Sequence, residues 1–198
     1  MNWSVLLPLS WFAFVSSITP GPNNLMLMAS GVNFGFRRSI PHMLGIGIGF
    51  TIMVLLVGVG LAQIFERYPW TNIALTVFSV IYMLWLAWKI ANAAAPKEGE
   101  VGGTPMTFIQ AALFQWVNPK AWAMALGAIT IYAADNSFGA VAFVAIVFGL
   151  INLPCVSVWT LLGVGVRELL QDRRYLRAFN WTMAVLLVAS LYPILMPH

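Results

Sequence analysis

One lysine lies in the middle of a long apolar stretch, where its charge needs a chemical reason. Lys120 directly follows Asn118 and Pro119 in the segment FQWVNPKAWAMALG. A lysine at the centre of a membrane span costs about 2.5–3.5 kcal/mol on insertion scales. Its stem could follow the helix to an interface and keep the ammonium in water. We favour a functional lysine, because the position is central and an ammonium can bind an anionic group such as a carboxylate.

A second polar interruption has the same form. The segment SSITPGPNNLMLMASG carries the Pro-Gly-Pro of residues 20–22 inside an apolar run. Thr19–Pro20 and Asn118–Pro119 each pair a good N-cap residue with a proline, which is tolerated at the first helical position. Each pair therefore predicts a helix that breaks and restarts. A break exposes backbone donors and a helix dipole, and it needs cover from protein or a water-filled cavity. A simple proline kink is the alternative.

The composition places these breaks in a membrane protein. The chain has 198 residues, of which 61% are hydrophobic and only 8% charged, unlike a soluble domain. Apolar runs of about 20 residues predict membrane-spanning helices. We therefore expect an all-α integral membrane protein that forms a single transmembrane domain over residues 1–198. The six predicted spans cover roughly residues 5–30, 40–63, 71–93, 105–133, 138–163 and 177–196.

The two halves of the chain share a pattern. The segments NFGFRRSIPHMLG (33–45) and SFGAVAFVAIVFG (137–149) both carry Phe-Gly and a second glycine ten residues after the first. With the two proline breaks, this predicts three-helix repeats at about 5–93 and 105–196, joined by a cytoplasmic linker at about 94–104. Because three is odd, the second repeat is inverted, and the first and fourth helices break at mid-membrane. Such paired interruptions point to a transporter's midplane site.

The charged residues predict an orientation and exclude some substrates. Most basic residues follow the first, third and fifth predicted spans, so the positive-inside rule places both termini outside the cytoplasm. All six acidic residues fall in predicted loops, which disfavours a hard-metal or cationic substrate. A single cysteine, Cys155, allows neither an intrachain disulfide nor a cysteine metal cluster. The acids are Glu66, Glu98, Glu100, Asp135, Glu168 and Asp172.

The motifs TPGPNN (19–24) and NPK (118–120), with FGFRR after the first span, resemble the lysine-exporter (LysE) superfamily of amino-acid efflux proteins. The likeness is greatest to the branch that exports homoserine, threonine and related neutral, cysteine-like amino acids. It implies a secondary transporter of the bacterial inner membrane, driven by the proton motive force, with alternating access and without a cofactor. Some relatives export cations, so the substrate is not fixed. The matching site positions are Thr19, Pro20, Gly21, Pro22, Asn23, Asn118, Pro119 and Lys120.

Three further polar residues are candidates for the same site. Asn24 ends the first motif, Gln115 shares a helical face with Asn118, and Asn152 follows Gly149 at the same spacing. Gln115 and Asn152 could equally be interhelical hydrogen-bonding groups. We expect the substrate carboxylate at the two half-helix ends beside Lys120. The substrate ammonium would then bind acceptors such as Thr19, Asn23 or free backbone carbonyls.

Proton coupling has two candidate side chains, Lys120 and His42. His42 lies three residues before Gly45 on the same helical face, and it could carry protons or act as a hydrogen-bonded cap. An intramembrane enzyme is disfavoured because no buried acid, metal triad or nucleophile motif accompanies His42. A passive channel or a cation permease of the same superfamily is the remaining alternative. The expected partners are an amino-acid substrate and membrane lipid, not nucleic acid, and a homo-oligomer is left open.

Overall fold

The computed structural model describes residues 3–61, 63, 67–68, 70–93, 103–133, 137–170 and 172–192, and these residues form helices and no strands. A π-turn at Val57–Leu61 extends the third helix, and 3-10 turns occupy Gln115–Val117 and Glu168–Leu170. The α-helices are α1 (Trp3–Ile18), α2 (Pro22–Phe34), α3 (Phe36–Leu56), α4 (Trp70–Ala91), α5 (Phe108–Phe114), α6 (Pro119–Tyr132), α7 (Phe138–Val166) and α8 (Arg173–Ala189).

Local capping explains where several helices begin. Thr107 and Gln110 form a reciprocal capping box at the start of α5, which satisfies two backbone donors that lack helical partners. Ser137 caps α7 and Asp172 caps α8 through their side-chain oxygens. Between α2 and α3 the chain turns at Gly35, whose φ of 78° is a conformation that favours glycine.

Three helices among the described residues are long and apolar enough to cross a membrane. They are Phe36–Leu61, Ile73–Ala91 and Phe138–Val166. The pair formed by residues 5–18 and 22–34 is a fourth candidate, bent by 54° at a short break. The remaining described helices are shorter. Length and composition therefore support three or four spans, and six spans remain a prediction.

Close backbone contacts hold the central helices together. A Cβ atom at Gly31 of α2 would collide with the Thr160 carbonyl of α7, and one at Gly163 of α7 with the Met28 carbonyl of α2. Gly45 and Gly49 of α3 lie in the same way against α5. Small residues permit such close packing where apolar surface alone gives no driving force, as in lipid.

Apolar side chains fill the space between these helices. The Phe50 and Phe148 rings meet edge to face, with 5.0 Å between their centroids, in a cluster shared by α1, α3, α6 and α7. A second cluster joins α2, α4, α5 and α8 around Met83, Phe114 and Leu187. Much of the outward surface of α4 is exposed and apolar, as expected of a helix that faces lipid.

Several sequence predictions fall outside the described residues. These include Glu66, Glu98, Glu100 and Asp135, and nearly all of the predicted linker at 94–104. The two described acids, Glu168 and Asp172, lie in the turn after α7 and at the start of α8. Within the described residues, therefore, acidic side chains are confined to this one connection.

Candidate substrate site

The end of α1 leaves backbone carbonyls that other segments satisfy. Asn24 Nδ2 donates to the Ser17 and Thr19 carbonyls at 2.8 and 2.7 Å. The Trp159 indole of α7 donates to the Ile18 carbonyl at 3.0 Å. The last carbonyls of any helix lack intrahelical donors, so these contacts stabilise a helix that stops inside the protein.

The second half-helix begins later than the sequence predicts. Thr19–Pro20 was expected to supply the N-cap and first helical residue, and this is wrong. The cap is Gly21, which has extended backbone and makes no side-chain cap, and Pro22 is the first residue of α2. The motif contains two prolines, and either could begin a helix. Thr19 lies outside α2, where its side chain and carbonyl contact Lys120.

The second break has the predicted form. The chain passes through a 3-10 turn at Gln115–Val117, becomes extended at Asn118, and restarts as α6 at Pro119. The Asn118 side chain accepts a hydrogen bond from the Lys120 backbone N–H at 3.1 Å. Asn118 is therefore an N-cap and Pro119 an N1 proline, which is the arrangement that their residue types favour.

Lys120 joins the two breaks. Its ammonium donates to the Thr19 carbonyl at 2.7 Å, the Thr19 hydroxyl at 2.9 Å and the Pro20 carbonyl at 3.1 Å. The side chain is half-buried, while Thr19 and Pro20 are exposed. An ammonium has three donors, and three oxygens surround this one. The lysine therefore contacts the negative end of α1 rather than following its own helix to an interface.

Gly21 makes room for this lysine. A Cβ atom at Gly21 would lie 2.6 Å from Lys120 Cδ and 3.1 Å from Nζ. The φ of Gly21 is −176°, an extended conformation that other residues also adopt. Glycine is thus needed for space beside the lysine and not for its backbone freedom.

Asn23 and Gln115 connect the same two segments. Asn23 Nδ2 donates to Gln115 Oε1 at 2.9 Å, and Gln115 Nε2 donates to Asn23 Oδ1 at 3.2 Å. Gln115 is fully buried and also donates to the Ala111 carbonyl. The reciprocal amide pair fixes the start of α2 against the turn before α6.

A small cavity lies between the breaks. Its volume is ≈ 20 Å³, about the space that one water molecule needs. Of the residues singled out in the sequence, Gly21, Asn23, Asn24, Asn118, Lys120 and Asn152 line it. Sequence reasoning missed Ser16, Ser17, Phe50, Ala121, Met124 and Val156, which also line it.

Asn152 lines this cavity and has an unused acceptor. It is 3% exposed, and its Nδ2 donates to Ser17 Oγ at 3.1 Å. Its Oδ1 is buried without a hydrogen-bond partner in the described part of the chain. An unpaired buried acceptor is costly, so this oxygen is suited to a donor that enters the cavity.

The other predicted site residues lie around the cavity or apart from it. Thr19 and Pro20 contact Lys120, Gln115 contacts Asn23, and the prolines at 22 and 119 begin helices. His42 lies elsewhere, in a separate cavity between α2, α3 and α4. The structure therefore brings the two motifs together and separates His42 from Lys120.

Two apposed helix breaks with a polar cavity between them are typical of membrane translocators for small solutes. A profile of LysE type translocators matches residues 14–190. The chain belongs to this LysE family, and it is accordingly a transporter rather than an enzyme, as the sequence predicts.

Curated relatives cover nearly the whole chain. A cysteine/O-acetylserine efflux protein of Shigella flexneri serotype 5b (strain 8401) is 30% identical over 190 residues, which are 93% of this chain and 94% of the relative. The protein of the same name from Escherichia coli (strain K12) is 30% identical over 189 residues, covering 92% and 94%. No solved structure matches this chain significantly.

Proposed function

We propose that the protein exports small neutral amino acids across the bacterial inner membrane and binds them at the cavity between the two helix breaks. The observation that carries this proposal is the Lys120 ammonium, which reaches from α6 to the Thr19 and Pro20 carbonyls. The same three groups can bind both ends of a zwitterion, because the lysine suits a carboxylate and the carbonyls suit an ammonium.

Binding begins with an exchange of partners. The substrate carboxylate takes the Lys120 ammonium from the carbonyls of Thr19 and Pro20. These two oxygens then accept hydrogen bonds from the substrate ammonium, and the free Asn152 Oδ1 accepts a third. Both charged groups of the substrate thereby gain partners, so a buried zwitterion is not left unpaired.

Charge favours a neutral amino acid. Lys120 is the only charged side chain among the described residues that line the cavity. A cationic substrate would be repelled by it, whereas a zwitterion adds no net charge. The relatives' names, which mention cysteine and O-acetylserine, agree with a small substrate of this kind.

Transport requires the cavity to widen. A volume of ≈ 20 Å³ is too small for an amino acid, so we propose that the protein alternates between this closed form and forms open to either side. The six-span inverted repeat and termini outside the cytoplasm remain part of this proposal. So does coupling to the proton motive force, through Lys120, His42 or the substrate.

A flux assay in sealed vesicles tests the proposal. We expect saturable uptake of small neutral amino acids into inside-out vesicles, driven by an imposed proton gradient, and no uptake of lysine. A conductance that does not saturate would support a channel and reject the transporter. Saturable uptake unaffected by the gradient would reject only the proton coupling.

A further inference from the structure

A second, larger cavity lies between α2, α3, α4 and the segment that leads into α5. Its volume is ≈ 90 Å³, which corresponds to the liquid volume of about three water molecules. That space is close to the size of a small amino acid. Its lining combines apolar side chains with His42 and Lys89.

His42 is the unusual group in this cavity. Its side chain is 2% exposed, and neither Nδ1 nor Nε2 has a hydrogen-bond partner among the described residues. A neutral imidazole has one donor and one acceptor nitrogen. Leaving both unpaired in a buried place is costly, so the ring is suited to a ligand with hydrogen-bonding groups.

Lys89 also lines this cavity. Its ammonium lies 4.8 Å from the centroid of the Trp85 ring, and its side chain is exposed. Met26, Leu86 and Met106 supply apolar walls, and no carboxylate is found among the described residues of the lining. An exposed ammonium, a buried imidazole and apolar walls together suit a short zwitterion.

The two cavities follow each other along α2. Asn23 lines the cavity between the two helix breaks, called the central cavity below, while Met26 and Ser30 line the second one. The spacings of three and seven residues place all three on one face of the helix. The second cavity lies at the basic end of the protein, where Arg38 donates to the Gly103 carbonyl at 3.0 Å. In the proposed orientation this end faces the cytoplasm, from which an exporter takes its substrate.

We propose that the His42 cavity is a second substrate site, which binds a small neutral amino acid before it reaches the central cavity. The carboxylate faces Lys89 and the ammonium donates to the acceptor nitrogen of His42. This inference rests on the proposed function, because it assigns a loading site to the same substrate.

The histidine content of the chain allows a direct test. The sequence has two histidines, His42 and His198, so His198→Gln leaves one imidazole. Nitrogen-15 labelling of histidine then gives nuclear magnetic resonance signals from His42 alone in detergent-solubilised protein. We expect L-cysteine, but not L-lysine, to shift these signals in a saturable way. The shift should persist, with an affinity within about threefold, after Lys120→Met removes the central ammonium.

Binding stoichiometry gives the second measurement. Equilibrium dialysis with labelled L-cysteine should find two bound molecules per protein and one in Lys120→Met. His42→Leu should also retain one, whereas His42→Gln keeps a donor and an acceptor and should recover the second within about tenfold of its affinity. Ala29→Leu, which fills the cavity from α2, should abolish the His42 shift.

The failures of the two proposals are distinguishable. One bound molecule with unmoved His42 signals would overturn the second site and leave the central site intact. A His42 shift that disappears in Lys120→Met would also overturn it, because the ring would then report the central site. No binding to the wild-type protein would reject both.

Discussion

The Nζ atom of Lys120 lies 2.7 Å from the carbonyl oxygen of Thr19, a residue 101 positions earlier in the chain. This contact ties the start of α6, which carries the lysine, to the negative end of α1. A ligand that competes for the ammonium therefore also loosens the contact between the two breaks. Substrate binding and opening of the cavity would be linked through this one side chain.

Replacing Lys120 by methionine keeps an unbranched side chain, one atom shorter, and removes its charge. We expect transport to fall by at least about tenfold, because a charge-assisted hydrogen bond to the carboxylate is lost. The free energy of unfolding should fall by only about 1 kcal/mol, since Thr19 and Pro20 are exposed and Asn24 still donates to the Thr19 carbonyl. Vesicle flux and thermal unfolding in detergent measure the two effects.

A carboxyl-amidated amino acid serves as the matched ligand for this variant. Wild type should bind the free acid more tightly than the amide, and Lys120→Met should lose that difference. A preference for the free acid that survives the substitution would show that Lys120 does not bind the carboxylate.

Gly21→Ala tests the space beside the lysine. The new Cβ would lie 2.6 Å from Lys120 Cδ, so the side chain must move away from Thr19. We expect transport to fall several-fold while the unfolding temperature changes little, because extended backbone accepts alanine. Gly165→Ala, in α7 with nothing within 4 Å of its added Cβ, is the control and should transport normally. Equal activity of the two variants would contradict the proposed position of Lys120 in the active protein.

Asn152→Leu removes the free acceptor and keeps a side chain of similar size. We expect binding of an amino acid to weaken by at least about tenfold, since one hydrogen bond to the substrate ammonium is lost. Binding of the corresponding deamino acid should not weaken, because it lacks the ammonium. Calorimetric titration of both ligands measures this. Ser157→Ala, which alters a hydrogen bond within α7 outside the cavity, is the control and should leave the ratio of the two affinities unchanged. If Asn152→Leu also leaves this ratio unchanged, Asn152 does not bind the substrate ammonium.

Gly49→Ala tests the packing of α3 on α5. The added Cβ would lie 2.6 Å from Ala112 Cα, and backbone cannot yield as a flexible side chain does. Overpacking of this kind costs about 1–3 kcal/mol, so the thermal unfolding midpoint should fall. Gly139→Ala, where the added Cβ meets nothing within 4 Å, should be neutral or stabilising by up to about 1 kcal/mol. A midpoint that falls equally in both would indicate a general effect of helix glycines.

The sequence predicts the second helix break of the site correctly. Asn118 and Pro119 have a strong shared preference for a helix start, and α6 begins there. At the first break the residues allow two starts, and the sequence alone selects the wrong one. Contacts of Thr19 with Lys120 and of Asn24 with the end of α1 fix the later start at Pro22. Those contacts join segments whose proximity depends on the fold.

The partners of Lys120 could not be read from the sequence for the same reason. Sequence reasoning treats the ammonium as a charge without a partner, awaiting a substrate carboxylate. In the folded chain it has three oxygen acceptors from α1's end. Packing also places beside the breaks three residues that the sequence does not distinguish from the rest of the apolar helices: Ser17, Phe50 and Trp159. Residue type predicted the chemistry, and tertiary contacts decided which groups meet.

The unequal packing of two half-helices has a consequence for the rest of the transport cycle. α2 packs along α7 far more extensively than α6 packs along α3, although the proposed repeat makes these pairs equivalent. If the repeats exchange these arrangements, the opposite-facing state has α6 closed on α3 and α2 separated from α7. A disulfide between α2 and α7, introduced after Cys155→Ser, would then trap the state in which α2 is closed on α7. A disulfide between α6 and α3 would trap the opposite-facing state.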